Sequence, residues 1–283
     1  KGTTPRVESD YPILSSGLFN GMSTGAPILI RFENNNTRSE AYTSQRDIPR
    51  PGHADFTGHV KFGGFEDYRG GGHFSGRLTT CLVAAGVIAK IVLSHVLNTD
   101  ISINAEILEI GGEKDLEAGL EKAIQAKDSI GGIVECRIKG LPVGLGEPFF
   151  DSVESVLAHA VFSIPAIKGI EFGKGFAAAK MFGIEHNDAI LDNSGKTLTN
   201  NAGGIVGGIS NGNDLEFRVV VKPTSSTPKI QKSYNWDSDE VEEFSIKGRH
   251  DLCIALRVPV VLEAAAAIAL ADLALIRMAY HVR

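Results

Sequence analysis

Four short stretches of this sequence hold residue types suited to gripping an anion: RPGHAD (Arg50–Asp55), YRGGGHFSGR (Tyr68–Arg77), KPTSS (Lys222–Ser226) and KGRHD (Lys247–Asp251). The first two, with the segment between them, supply Arg50, His53, Lys61, Arg69, His73 and Arg77. A guanidinium meets carboxylates and phosphates through a planar fork of donors, so several arginines together suit a ligand with more than one negative charge. Three consecutive glycines, Gly70–Gly72, are costly to order, which implies positive φ or a close approach to the backbone. Their N–H groups can form an anion-binding nest. Ser75 and Arg77 stand just before a helix expected from Leu78, where backbone donors and the helix dipole also favour an anion. On composition alone the same stretch is equally an exposed basic loop.

The other two stretches have the same double reading. At KPTSS a strand ends in an ammonium and three hydroxyls, which either hold a phosphate or solvate a turn. In KGRHD, Asp251 beside His250 is either a base that tunes its neighbour or an ordinary ion-pair partner. A glycine cluster, NNAGGIVGGISNG (Asn200–Gly212), does not fit the dinucleotide fingerprint, because its spacing is wrong and no strand leads directly into a helix. Glycine pairs beside a strand point instead to close packing or to backbone lying against a planar ligand. Gly-Gly-Ile-Val occurs here and again at Gly131–Val134, each time at the head of an expected strand.

The elements that must position these residues are of mixed type. Ile13–Asn35 reads as two strands around a glycine-rich turn. Gln45–Arg77 lacks regular periodicity, and its Phe56, Phe62, Phe65, Tyr68 and Phe74 imply an ordered loop with packing of its own. Leu78–Leu97 is apolar nearly all round, which predicts a buried helix. Ile101–Ile110 alternates as a half-buried strand, and Lys114–Lys127 has Leu116, Leu120 and Ile124 at helical spacing. Gly131–Leu141 is another strand; Asp151 is expected to cap a helix reaching about Ser163, with Glu154 completing a capping box. Strands follow near Gly203–Ser210 and Leu215–Val221, and Pro259 stands near the start of a last helix reaching about Tyr280. Without a clean βαβ alternation, the order favours an α+β fold.

The whole chain limits the function classes. With 283 residues, 43% of them hydrophobic and 22% charged, the sequence is that of a globular protein. A net charge of −6 argues against a general nucleic-acid binder, although local basic clusters still suit a small anion. Cys81, Cys136 and Cys253 are odd in number and far apart, which fits neither a disulfide framework nor a zinc site and predicts buried, reduced thiols. No apolar run is long enough to read as a transmembrane span.

Taken in order, these stretches resemble the chorismate synthase family. RPGHAD, KFGGFEDYRGGG (Lys61–Gly72), VAAGVIAK (Val83–Lys90), PVGLGEPFFD (Pro142–Asp151), SIPAIKGIEFGKGF (Ser163–Phe176), NNAGGIVGGISNG, KPTSS and KGRHD follow the family's order from about Thr3 to the last helix. The combination is far more specific than any one piece. The resemblance implies an αβ sandwich with two antiparallel sheets enclosing long helices, formed as a single domain over residues 1–283. It implies an anti-1,4-elimination of phosphate from 5-enolpyruvylshikimate 3-phosphate to give chorismate, in the shikimate pathway of aromatic amino-acid biosynthesis. The family uses reduced FMN without net redox change, and NADPH enters only in members that reduce their own flavin. A cytoplasmic homotetramer without nucleic-acid or membrane partners is expected. A flavin- or phosphate-binding homologue without turnover is the alternative.

Carried over position by position, the resemblance implies catalytic roles for His53, Asp251 and Ser75, with His53 beside the flavin as the proton source for reduced FMN. It implies flavin contacts from His73, Phe74, Ser75, Ala166, Gly207, Arg249 and the run Lys222, Pro223, Thr224, Ser225 and Ser226. Substrate contacts fall to Lys1, Arg50 and Arg77, and no metal is expected. His73 and Phe74 stand where many members carry Arg and Ser, which removes one phosphate-binding guanidinium. The family also leads one to expect a GESHG motif, with a further histidine and serine, ahead of the position of Lys1, and a longer stretch between Gly112 and Glu113.

Overall fold

A computed structural model describes residues 2–3, 9–34, 46–246 and 250–280. Strand β1 (Ile13–Ser16) pairs antiparallel with β4 (Leu29–Arg31), and between them the two-residue strands β2 (Leu18–Phe19) and β3 (Met22–Ser23) form a small hairpin. Two strands around a glycine-rich turn was the expectation for this region. Helix α1 (Asp55–Phe62) follows, ending at Gly63 in the left-handed region with φ +62°. Two 3₁₀ turns, Arg69–Phe74 and Gly76–Leu78, then lead into α2 (Thr79–Leu97). The Gln45–Arg77 region is therefore partly helical rather than one irregular loop. Gly58, Gly63 and Gly64 interrupt the apolar period that would have revealed α1.

The central sheet is antiparallel, in the order β5-β6-β10-β7, with β5 Ser102–Ile110, β6 Gly132–Lys139, β7 Ile167–Phe172 and β10 Leu215–Val221. Strict alternation on β10 buries Leu215, Phe217, Val219 and Val221, and on β6 buries Val134, Cys136 and Ile138. Between the sheet strands lie α3 (Leu116–Ala126), α4 (Val153–Val161) and the single-turn α5 (Gly183–His186). Asp115 caps α3 by accepting from the N–H groups of Glu117 and Ala118. The cap of α4 is Ser152, whose hydroxyl accepts from Ser155 N–H; the expected cap, Asp151, belongs to the preceding 3₁₀ turn. A shorter hydroxyl one residue later reaches the free N–H, so the capping box with Glu154 does not form.

Among the described residues the remaining pairing consists of two-stranded ribbons, namely β1–β4, β2–β3, β8 (Ile205–Val206) with β9 (Ile209–Ser210), and β11 (Gln231–Asn235) with β12 (Glu240–Phe244). The two Gly-Gly-Ile-Val stretches part company here. One opens the eight-residue β6, while the other is turned back after two residues by Gly207 and Gly208, at φ +63° and +86°.

Helix α6 (Val258–Tyr280) fills the centre, buried over most of its length against the sheet, α2 and α4. Gly86 of α2 makes this close, since a Cβ there would lie 2.4 Å from that of Ala264. Lys90 of α2 pairs with Glu263 of α6 at 2.7 Å, and the same carboxylate accepts from Ala105 N–H on β5. Both α2 and α6 are long and apolar enough to span a bilayer by length and composition. The expected burial of α2 holds on one side alone, because Val87 and Ile91 are 57% and 66% exposed. Its Cys81 is exposed as well, whereas Cys136 and Cys253 are buried as expected.

Candidate active site

The RPGHAD stretch folds into a tight clasp ahead of α1. A turn closes as His53 N–H donates to Arg50 C=O at 3.2 Å, and Asp55 begins the helix. Asp55 then receives Arg50 through a two-pronged bond, Nε to Oδ2 at 2.7 Å and Nη2 to Oδ1 at 2.8 Å, and Arg50 N–H also donates to Oδ2 at 3.0 Å. His53 Nδ1 lies 2.5 Å from Asp55 Oδ1. Burial by itself would raise the Asp55 carboxyl. Hydrogen bonds from Arg50 and His53, and their charge, outweigh it and hold the group well below the usual carboxylate range.

The far end of β10 meets this clasp. Lys222 Nζ donates to Gly52 C=O at 2.9 Å and to Ser225 Oγ at 2.7 Å, and Ser225 Oγ donates to the same carbonyl at 2.7 Å. Arg50 Nη1 donates to Ser226 Oγ at 3.2 Å. Lys222 N–H is held by the carbonyl of Ala166, a residue at φ +74° beside β7. Burial, with the charge of Lys168, lowers the Lys222 ammonium. His250 completes this side: burial first, then the charge of Arg50, lowers its imidazole against the pull of Asp251. Among the described residues, Thr224 Oγ1 and His250 Nε2 are buried here without a partner.

Gly71 and Gly72 have different tasks. Gly72, at φ +48°, would place a Cβ 2.2 Å from the carbonyl oxygen of Asp67, so here the close visitor is a neighbouring backbone. Gly71, at φ +86°, would place one 3.7 Å from His53 Cε1 and 3.8 Å from Ser75 Cβ. Its bare backbone therefore lines the space between that imidazole and Ser75. Phe74 packs its ring against Gly58 of α1, and His73 stands edge-on to Phe62 at 6.2 Å. The ribbon β11–β12 secures the clasp from outside: Ser233 Oγ donates to Pro49 C=O at 2.6 Å, Trp236 N–H donates to Asp47 C=O, and the Trp236 ring stacks on His59 at 4.5 Å.

Other expected site residues lie around this centre or away from it. Arg77 pairs with Asp10 at 2.5 Å. Asp251 receives Arg257 at 3.0 and 3.1 Å and is adjacent to His250, which feels Arg50. Gly207 lies elsewhere. Gly204, which leads into its hairpin, packs against Asp214 and Leu215 at the start of β10, and seven strand rises, roughly 23 Å, separate that end from Lys222. Lys1 and Arg249 fall outside the described residues. Asp55 and the β11–β12 ribbon were not anticipated. Asp55 stands within the quoted RPGHAD, but an aspartate near an arginine and a histidine gains meaning only once the other two are seen to share its carboxylate.

Two hollows among the described residues bear on the choice of site. One of about 40 Å³ is bordered by Arg50, Asp55, Glu66, Gly71 and Trp236, which is room for water alone. The other, about 710 Å³, lies between the Gly144–Asp151 loop and the end of α6. It is larger but carries Glu147, Asp151 and Asp272 against Arg277, a setting that repels a polyanion. Volume and chemistry thus point to opposite ends of β10, and for a multiply anionic ligand the chemistry decides.

Residues 1–275 match the family described as chorismate synthase. A chorismate synthase of Chitinophaga pinensis is 71% identical over 98% of this chain and 82% of its own length. One of Dehalococcoides mccartyi is 44% identical over 96% of this chain and 82% of its own length. One of Methanosarcina mazei is 45% identical over 95% and 81%. A crystal structure of a chorismate synthase superposes with a TM-score of 0.67 at 24% identity, covering 92% of this chain and 76% of that one.

Proposed function

The chain belongs to the chorismate synthase family, and from this we propose that the clasp of Arg50, His53 and Asp55 on the Lys222–Ser226 loop is where its elimination takes place. The activity is that of a shikimate-pathway lyase, converting 5-enolpyruvylshikimate 3-phosphate to chorismate and phosphate. A homologue that binds without turnover is not favoured. One observation carries the placement: a cationic, hydrogen-bonding surface is assembled from stretches 170 residues or more apart in sequence, as in Lys222 to Gly52 and Arg50 to Ser226.

The cofactor of the proposal is reduced FMN, and the residues present fit it. Thr224 Oγ1 and His250 Nε2 are buried donors or acceptors without partners among the described residues, Lys222 and Arg50 supply positive charge, and Gly71 leaves the face of the clasp without a side chain. Reduced FMN, when bound, supplies electron density beside a substrate losing a C–H and a C–O bond. The protein's part is positional and electrostatic. Arg50 and Arg77, with Lys1, bind the carboxylates and phosphate of the substrate. His53 exchanges a proton at Nε2, Ser75 faces it across Gly71, Asp251 approaches beside His250, and Arg249 is assigned to the flavin. Ala166 fixes the backbone at Lys222, and His73 and Phe74 shape the rim. The proposal includes a cytoplasmic homotetramer, with NADPH used only if the protein reduces its own flavin.

Anaerobic incubation of the full-length protein with reduced FMN and substrate is the test. Stoichiometric phosphate release with chorismate absorbance is expected. Flavin binding without turnover would overturn the proposal.

A further inference from the structure

We propose that Asp55 is the positioning residue of this site: its carboxylate fixes the His53 ring with Nδ1 carrying hydrogen and Nε2 as the atom that exchanges protons, and it holds the Arg50 guanidinium against that ring. The inference rests on the placement proposed above for the site but is testable without ligand.

The donor inventory leads to it. Asp55 Oδ1 lies 2.5 Å from His53 Nδ1, and an ionised carboxylate only accepts, so Nδ1 must donate. Arg50 Nη2 is close to both ring nitrogens, at 3.0 Å from Nδ1 and 3.3 Å from Nε2. A guanidinium only donates, and Nδ1 has no lone pair left for it, so Arg50 addresses Nε2 alone. The ring thus sits between a cation, which disfavours an imidazolium, and an anion, which favours it. Asp55 touches both and is two-thirds or more withdrawn from solvent, at 27% side-chain exposure.

The charged groups facing this trio come from every neighbouring element. Lys222 approaches from the end of β10, His250 from the segment before α6, and Arg46, Glu66 and Asp67 line the small hollow on the other side of Arg50 and Asp55. None of them is hydrogen-bonded to His53 among the described residues. Removing the Asp55 charge therefore leaves the imidazole facing Arg50 and Lys222 without its one bonded anion, and frees the ring to turn over.

The experiment reads the ring directly. Nitrogen-15 NMR of the imidazoles in the flavin-free protein distinguishes the two neutral tautomers, with His53→Gln identifying the signal. The expectation for the unaltered protein is the Nδ1–H form, and a predominant Nε2–H form overturns the proposal without any altered carboxylate. In Asp55→Asn the His53 titration is expected to move to lower pH and the tautomer preference to weaken. In the loaded enzyme kcat should fall by roughly 10²-fold, within the range that general acid–base groups contribute, and the acidic limb of its pH profile should shift the same way. Asp55→Glu should restore part of both. If Asp55→Asn fails to fold, the tautomer of the unaltered protein still decides. A His53 titration and tautomer unchanged in Asp55→Asn overturns the inference, whereas unaltered NMR expectations with no turnover in the parent protein would count against the proposed function alone.

Discussion

The two ends of β10 carry glycine-rich, loop-built surfaces, yet they are built for different purposes. At the Val221 end, Lys222, Ser225 and Ser226 reach side chain to backbone and side chain to side chain across to Gly52 and Arg50, and polar atoms unpartnered among the described residues remain. At the Leu215 end, glycines pack against backbone: Gly204 on Asp214 and Leu215, and Gly208 on the carbonyl of Glu147. The larger hollow lies there, and its walls are acidic. Space alone would select the Leu215 end, and charge selects the other. For a multiply anionic substrate the few placed cations outweigh several hundred cubic ångströms of room.

Glycine substitutions sharpen the contrast. Gly72→Ala at the clasp forces a Cβ onto the Asp67 carbonyl at positive φ, and should cost roughly 2–4 kcal/mol, the range of steric core errors. Gly207→Ala meets open space and pays only for its left-handed backbone, roughly 1–2 kcal/mol. Denaturant midpoints at constant m-value report both. Equal losses would remove the distinction drawn between the two ends.

A smaller effect concerns acid. The folded carboxyl of Asp55 lies below its ordinary value of 3.8, so its contribution to stability is present above that value and is lost as pH falls toward the folded one. Stability should therefore decline below about pH 4, and less steeply in Asp55→Asn. Urea titrations between neutral pH and pH 2 check this, and identical slopes would deny the clasp its electrostatic role.

Much of the frame was legible because it is periodic. Alternation over Ile101–Ile110 and Leu215–Val221, and the apolar runs of α2 and α6, correspond to elements within a residue or two of their observed ends. Their depth was not legible. The two helices are equally apolar, but α6 is enclosed by sheet, α2 and α4, while α2 leaves Val87 and Ile91 outside, and only tertiary packing decides that. The site was legible as residue types and as a resemblance, which singled out Arg50, His53 and the KPTSS run. Asp55 was missed because a carboxylate shared by two side chains has no spacing of its own. The β11–β12 ribbon was missed although QKSYN and EVEEF alternate around a polar turn, since both faces are partly exposed and the hydrophobic signal is weak.

Turnover and flavin binding measured together in His53→Ala bear most directly on the central claim. The account predicts that reduced FMN still binds, through Lys222 and its neighbours, while kcat falls by roughly 10²–10⁴-fold. Turnover equal to that of the unaltered protein would contradict it.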